Sequence, residues 1–314
     1  MPALDHGLSE LTPAGALTGI GSLPIVNPSE AIDFVAAYCP RLPFCPQPTS
    51  LDLVDGTLAQ IGDVSRDLES TVRRFAEAAH NGAFPQAIAL KTQLTGPITL
   101  SGLLSVREHG PTSADLLAAL AERIAECASW QVENLRTIGL PVLVYVDEPA
   151  LVLVASSDEP HVRALLGGIF RRIHRSGGRT GIHCCATTAP GWLGSFGAET
   201  VSFDASGDLV PTLADAAVFD DERRVISLGL IGVAPPPEAP GLAFSRWLTA
   251  ASRVADIRTF ARRTIVTTRC GLGRSTLREA EAAFRAAATA SELVNQVAGE
   301  SAIQRGIPQN KVYR

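Results

Sequence analysis

The chain is nearly free of lysine, which occurs only at positions 91 and 311, and Met1 is its single methionine. Arginine is abundant instead, and both features read as genome composition without bearing on function. There is no surplus of positive charge either. The formal net charge is −5 and no basic stripe is visible, which excludes the electrostatic footprint of a nucleic-acid binder. No apolar run approaches the roughly 20 residues needed to cross a bilayer, so no membrane association is expected. The opening MPALDHGLSE lacks the basic region and apolar stretch of a signal peptide, which predicts a cytoplasmic address. No repeat, low-complexity tail or linker-like boundary interrupts residues 1–314, so one domain is expected. The six cysteines, at 39, 45, 127, 184, 185 and 270, are read in a reducing compartment as metal ligands or packed thiols rather than disulfides.

What the chain does have is alternation. Strand-like runs at 17–22, 42–45, 86–92, 141–146, 180–184, 200–204, 225–230 and 264–269 are separated by stretches of helical periodicity. The clearest helices are 113–138 and 276–297, the second opening on a capping-box spacing of Thr276 and Glu279. Eight strands alternating with helices predict an α/β fold, a closed (β/α)8 TIM barrel forming a single catalytic domain. Residues 46–65 and 232–243 read as long loops.

In such a barrel chemistry sits where the strands end. The out-of-place polar residues fall there: Lys91-Thr92-Gln93, Asp147-Glu148, His183-Cys184-Cys185, Asp204 and Cys270. His183 and Cys185 are two apart, so on an extended strand they share a face while Cys184 turns to the other and packs. Imidazole and thiolate suit Zn2+, with Cys270 as a second sulfur and Asp204 as an oxygen ligand. Glu199 is a competing carboxylate, but it begins its strand, about 16 Å from that rim. Two thiolates and an imidazole make a weak Lewis acid for hydrolysis and a good holder of a substrate thiol as thiolate. The matching reaction is S-alkylation.

These residues resemble the catalytic barrel of cobalamin-independent methionine synthase. The resemblance is carried by GIGSLP at 19–24, LTGPIT at 94–99, VDEPAL at 146–151, HCC at 183–185, the VSFDAS strand and CGL at 270–272, in the family's order. It implies zinc on His183, Cys185 and Cys270, with the family's glutamate ligand falling on Asp204. It also implies that the amino-acid part of homocysteine is held near Ile20, Gly21, Ser22 and the catalytic-site Asp147, with Asp55 standing where the family has an acidic amine contact. The chain departs from that family on the donor side. It has one barrel rather than two, Ala234 or a neighbour replaces the catalytic histidine of the loop after strand seven, and the folate-side aromatic is missing from TLSGLLSV. A methyl-tetrahydrofolate needs a proton on its leaving nitrogen. The chain therefore resembles the short, single-barrel branch, for which methylcobalamin or a methyl-carrying corrinoid or other partner protein is the expected donor.

Three functions compete at this point. The first is methyl transfer to homocysteine; the second is alkylation of another thiol, of the coenzyme M type. The third is a metal-free decarboxylase or a non-catalytic subunit. The acidic Asp147 favours an acceptor bearing an amine, since a sulfonate would call for arginine. Among the secondary features, Lys91 reads either as an interior charge near substrate or as an ion-paired, helix-facing lysine. Glu148 reads as a loop organiser. CGLGR reads as a turn in preference to a phosphate cradle. His80, His109, His161 and His174 read as solvated.

Overall fold

A computed structural model of the chain describes residues 14–48, 66–107, 113–155, 157–185, 193, 196–205, 224–233, 236–254 and 256–299. Its strands are β1 (Ala16–Leu17), β2 (Ser22–Leu23), β3 (Gln47–Pro48), β4 (Leu90–Thr95), β5 (Val142–Asp147), β6 (Arg179–Cys184), β7 (Thr200–Asp204), β8 (Val225–Ile231) and β9 (Thr264–Thr268). The α-helices are α1 (Pro28–Tyr38), α2 (Arg66–His80), α3 (Pro97–Arg107), α4 (Ala114–Leu135), α5 (Glu159–Arg175), α6 (Pro240–Val254), α7 (Ile257–Arg262) and α8 (Leu277–Ala298).

Seven strands form one parallel sheet in the order β1-β9-β8-β7-β6-β5-β4, with helices between successive strands at most crossings. A second, two-stranded sheet pairs β2 with β3. This is a barrel-like α/β architecture, but among the described residues no continuous ladder closes it into the eight-stranded barrel that the sequence pattern predicts. The gap between β1 and β4 is spanned by residues 41–48, through one bridge (Phe44 to Lys91) and isolated bonds such as Lys91 N–H to the Pro43 carbonyl, 2.9 Å. Prolines at 40, 43, 46 and 48 remove the donors that a ladder needs, so the second strand is fragmentary.

The strands separate two apolar layers. Ala16, Leu42, Ala89, Leu143, Tyr145, Val225 and Ile265 cluster along the axis, while the alternate residues pack beneath the helices. Above that small apolar plug the axis is polar. Lys91, Gln93, His183, Thr200, Ser202, Ser227 and Thr267 are all buried there, leading up to Asp147 and Asp204 at the ends of β5 and β7.

One connection explains two of the sequence motifs. Helix α3 begins Gly96-Pro97, so it has no capping side chain, and Pro97 has no N–H to satisfy. The next two donors, Ile98 and Thr99 N–H, both go to the Glu148 carboxylate, at 2.9 and 2.8 Å. The Thr99 hydroxyl donates to the same carboxylate at 2.7 Å and accepts from Ala150 N–H at 3.2 Å. Glu148 is fully buried, and a Cβ on Gly96 would fall 2.1 Å from its Oε1. LTGPIT and DEPAL are two halves of one helix cap, and Glu148 is the loop organiser expected of it.

Candidate functional site

The parallel strands deliver His183, Asp147 and Ser202 side by side. In the β5–β6 and β6–β7 registers His183 is the partner of Asp147 and of Ser202. The His183 ring places Nδ1 2.9 Å from the Ser202 hydroxyl and leaves Nε2 buried without a hydrogen-bond partner. Burial pushes its pKa down to about 3, helped by the positive field of Lys91, so the imidazole is neutral at physiological pH. A neutral ring oriented through one nitrogen, with the other free, is the form that binds a metal.

Cys185 follows β6 immediately, and Cys270 sits two residues past β9, on the other side of the mouth. Their thiols are hydrogen-bonded to each other. Cys270 is exposed and its pKa is lowered to about 7, first by that bond and then by the Gly271 N–H, against opposition from burial and Asp204. Cys185 is pushed strongly upward as the donor of the pair, with burial adding to the rise. The bond sets the two thiols apart: Cys270 gives up its proton more readily than an ordinary thiol and Cys185 less readily. In protein stripped of metal, alkylation of Cys270 by iodoacetamide is expected to rise through a midpoint near pH 7, not near its ordinary value of 9. A midpoint at or above 8.5, followed by mass spectrometry of the modified peptide, would refute the lowered Cys270 pKa.

The loop carrying Cys270 is tied to the first motif. Leu272 N–H donates to the Ser22 carbonyl at 2.9 Å, and Gly273 N–H to the Ser22 hydroxyl at 3.3 Å. A Cβ on Gly271 would lie 2.1 Å from Ser22 Oγ, so only glycine lets the two loops meet. CGLG is thus a turn that Ser22 fills, which agrees with the preference for a turn over a phosphate cradle.

Asp147 is half-buried at the rim, and its Oδ1 is enclosed without a hydrogen-bond partner. Burial raises its carboxyl to about 7, and Lys91 pulls the other way. Ile20 and Gly21 lie between β1 and β2: the Ile20 carbonyl accepts from Lys91 Nζ at 2.9 Å, and the Gly21 carbonyl from Gln47 N–H at 2.9 Å. Asp55 and Ala234 lie outside the described residues. Cys184 is buried in the core, as its place on the opposite face predicts. Glu199 binds Arg179, His174 and the Thr180 N–H at the far end of the sheet, which removes it from the site.

Asp204 reaches the rim but faces a different partner. Its Oδ1 is 3.4 Å from Arg269 Nε, and Arg269 Nη2 is 2.8 Å from Glu238, which also holds Arg246 at 2.5 Å. The alternating chain Asp204–Arg269–Glu238–Arg246 laces together the ends of β7, β8 and β9. Among the described residues no three His, Cys, Asp or Glu side chains stand close enough together to hold a metal ion. The donor chemistry of His183, Cys185 and Cys270 fits zinc: an unpartnered imidazole nitrogen and two thiols, one of them with its pKa lowered. Asp204 would have to give up its contact with the Arg269 guanidinium to serve as the oxygen ligand.

Ser202 and Arg269 are site residues that the sequence pattern does not single out. Ser202 was open to detection, since it stands two before Asp204 on the same strand face. Arg269 abuts Cys270 in sequence, but its pairing with Asp204 and Glu238 is long-range and leaves no local signal.

No family model matches the chain, and no curated protein matches it. Among solved structures it is similar to a protein assigned as a fructose-1,6-biphosphate aldolase of Coccidioides immitis. That match has 13% identity, covers 91% of this chain and 90% of that one, and has a TM-score of 0.43. It is also similar to the type I 3-dehydroquinate dehydratase of Clostridium difficile (11% identity, 87% and 92% covered, TM-score 0.41). A third is a β-(1,4)-mannanase of Podospora anserina (12% identity, 93% and 63% covered, TM-score 0.40). Likeness at this level carries nothing about activity, and the architecture stands on its own strand order.

Proposed function

We propose that the chain is a zinc-dependent S-methyltransferase that moves a methyl group to the thiol of homocysteine and forms methionine. What supports this reading is that His183, Cys185 and Cys270 all stand at or just past strand ends, with His183 Nε2 unpartnered and the two thiols bonded to each other. His183, Cys185 and Cys270 would hold the metal, which when bound supplies the charge that keeps a substrate sulfur deprotonated at neutral pH. The chain's own residues do the rest. Ser202 holds the His183 ring in one tautomer. Asp147 offers an enclosed, unpartnered carboxylate oxygen to the substrate ammonium, which favours an amino-acid thiol over a sulfonate thiol of the coenzyme M type. Ser22 keeps the Cys270 turn against the segment that receives the amino acid.

The donor in this reading is methylcobalamin or a methyl-carrying corrinoid or partner protein, because the sequence lacks the proton-donating histidine and the aromatic that a folate donor would call for.

Purified protein is expected to contain about one zinc per chain and to form methionine from homocysteine with methylcobalamin, and not with methyl-tetrahydrofolate alone. Metal analysis and product chromatography check both. Full activity after zinc removal would sink the metal reading, and turnover with the folate alone would overturn the donor assignment.

A further inference from the structure

Lys91 is a buried charge in a chain that otherwise uses arginine. Its side chain is 1% exposed, on the barrel axis rather than toward a helix. The ammonium donates to the Ile20 carbonyl at 2.9 Å and to Gln93 Oε1 at 2.9 Å, and lies over the Tyr145 ring, 4.7 Å from its centroid. Two acceptors and one ring face surround a compact three-donor cation; a planar guanidinium does not fit that arrangement. Gln93 carries the contact outward. Its Nε2 donates to the Cys45 carbonyl at 2.7 Å, and a Cβ on Gly21 would fall 2.7 Å from the same nitrogen. Gly21 in turn accepts from Gln47 N–H. Lys91 and Gln93 thus form a pillar beneath residues 20–22 and behind the fragmentary second strand, where only the short β2–β3 pairing and isolated bonds hold the backbone.

The pillar has a directional effect. The Ile20 carbonyl and the Gly21 N–H lie on opposite edges of one planar trans peptide. With the carbonyl fixed on the buried ammonium, the Gly21 N–H is turned away from the barrel core, as a donor for an anionic group. We propose that Lys91 is a positioning residue for the amino-acid end of the thiol substrate: it fixes the Ile20–Gly21 peptide so that its N–H receives the carboxylate while Asp147 receives the ammonium. This inference rests on the functional reading above. It makes Lys91 a determinant of which thiol is accepted, without contact with substrate or metal.

The test compares wild type, Lys91→Met and Gln93→Met, all zinc-loaded, with homocysteine and with butanethiol, which lacks the amino-acid end. Lys91→Met is expected to raise KM for homocysteine roughly tenfold to a hundredfold, the worth of a charge-assisted hydrogen bond, with kcat within about threefold. KM for butanethiol is expected to move less than about threefold. Gln93→Met keeps the ammonium, removes its link to Gly21 and gives a smaller shift of the same kind. It also provides the reading if Lys91→Met fails to fold by near-ultraviolet circular dichroism. Equal effects on the two thiols, or an unchanged homocysteine KM in the folded variant, overturn the proposal. Calorimetric titration of homocysteine separates the two levels. A wild type that binds homocysteine but transfers no methyl group locates the failure in the proposed reaction, and the variants' affinities then still decide the role of Lys91. A wild type that does not bind homocysteine overturns both.

Discussion

Cys270→Ala is expected to release most of the zinc and to slow methyl transfer by more than about a hundredfold, whereas Asp204→Asn is expected to keep the metal. The contrast follows from what each side chain is doing. Cys270 is the more acidic thiol of a pair, exposed at the mouth and already bonded to Cys185. Removing a partner one step behind the ligands typically costs about 10–100-fold in metal affinity, and removing a ligand itself costs more. Asp204 spends its carboxylate on Arg269, within a chain that continues to Glu238 and Arg246. Its loss should loosen the rim by about 1 kcal/mol, since the Arg269 side chain is a quarter exposed and solvent screens the pair. Zinc stoichiometry after dialysis, with X-ray absorption to count sulfur neighbours, reads the difference. Two sulfurs in the wild type, one or none in Cys270→Ala and two in Asp204→Asn are expected. Zinc lost equally from both variants would restore Asp204 as a ligand; zinc retained by Cys270→Ala would dismantle the site.

Where side chains repeat with the period of their element, the sequence was a reliable guide. Strands β5 through β9 lie within a residue or two of the β-branched runs that announced them. Helix α8 begins on the Thr276–Glu279 capping box that its spacing predicts. The first half of the barrel was less legible for a physical reason. Strand β4 spans Leu90–Thr95 rather than the 86–92 that the apolar run predicts, because its axis-facing residues Lys91, Gln93 and Thr95 are polar and break the apolar signature of a buried strand. The second strand fails as a strand because its prolines cannot donate, and closure falls to side chains such as Gln93 that no periodicity predicts.

The site divides along the same line. Alternation put Cys184 in the core, where it is buried, and His183 on the other, axis-facing side of β6, where it meets Ser202. Strand-end placement brought Cys270 to the same mouth. What spacing does not encode is competition: a carboxylate at the right rim is a ligand only if no cation claims it, and the claim on Asp204 comes from Arg269, on the far side of β8 in the sequence. Glu148 is the converse case. Beside Asp147 in the motif it has the look of a second catalytic carboxylate, yet three donors from the β4–α3 connection consume it.

Glu148→Ala should therefore be the most destabilising single change among the motif residues, at about 3–5 kcal/mol, with a melting temperature lower by on the order of 10 °C. The substitution strands two N–H groups and a hydroxyl inside the protein and removes the negative end that faces the α3 dipole. Glu148→Gln keeps the volume but sets an amide NH2 against donors, so part of the loss is expected there too. The two variants also differ from wild type in pH dependence. Burial raises the Glu148 carboxyl from its ordinary 4.5 to about 7, against the pull of its hydrogen bonds. A folded-state pKa above the unfolded one means that the native protein binds more protons between those values. Stability from this group is greatest below about pH 4.5 and is lost as pH rises through about 7, by roughly 3 kcal/mol. Asp147, raised to about 7 by the same cause, adds in the same direction. Wild type is thus expected to melt at a higher temperature at pH 5.5 than at pH 8. Glu148→Gln should lose about half of that slope while Asp147 keeps the remainder. Calorimetry of both proteins across that range decides it: a wild-type slope of opposite sign, or a Glu148→Gln slope equal to wild type, would show that the carboxylate is held ionised by its three donors and not burdened by its burial.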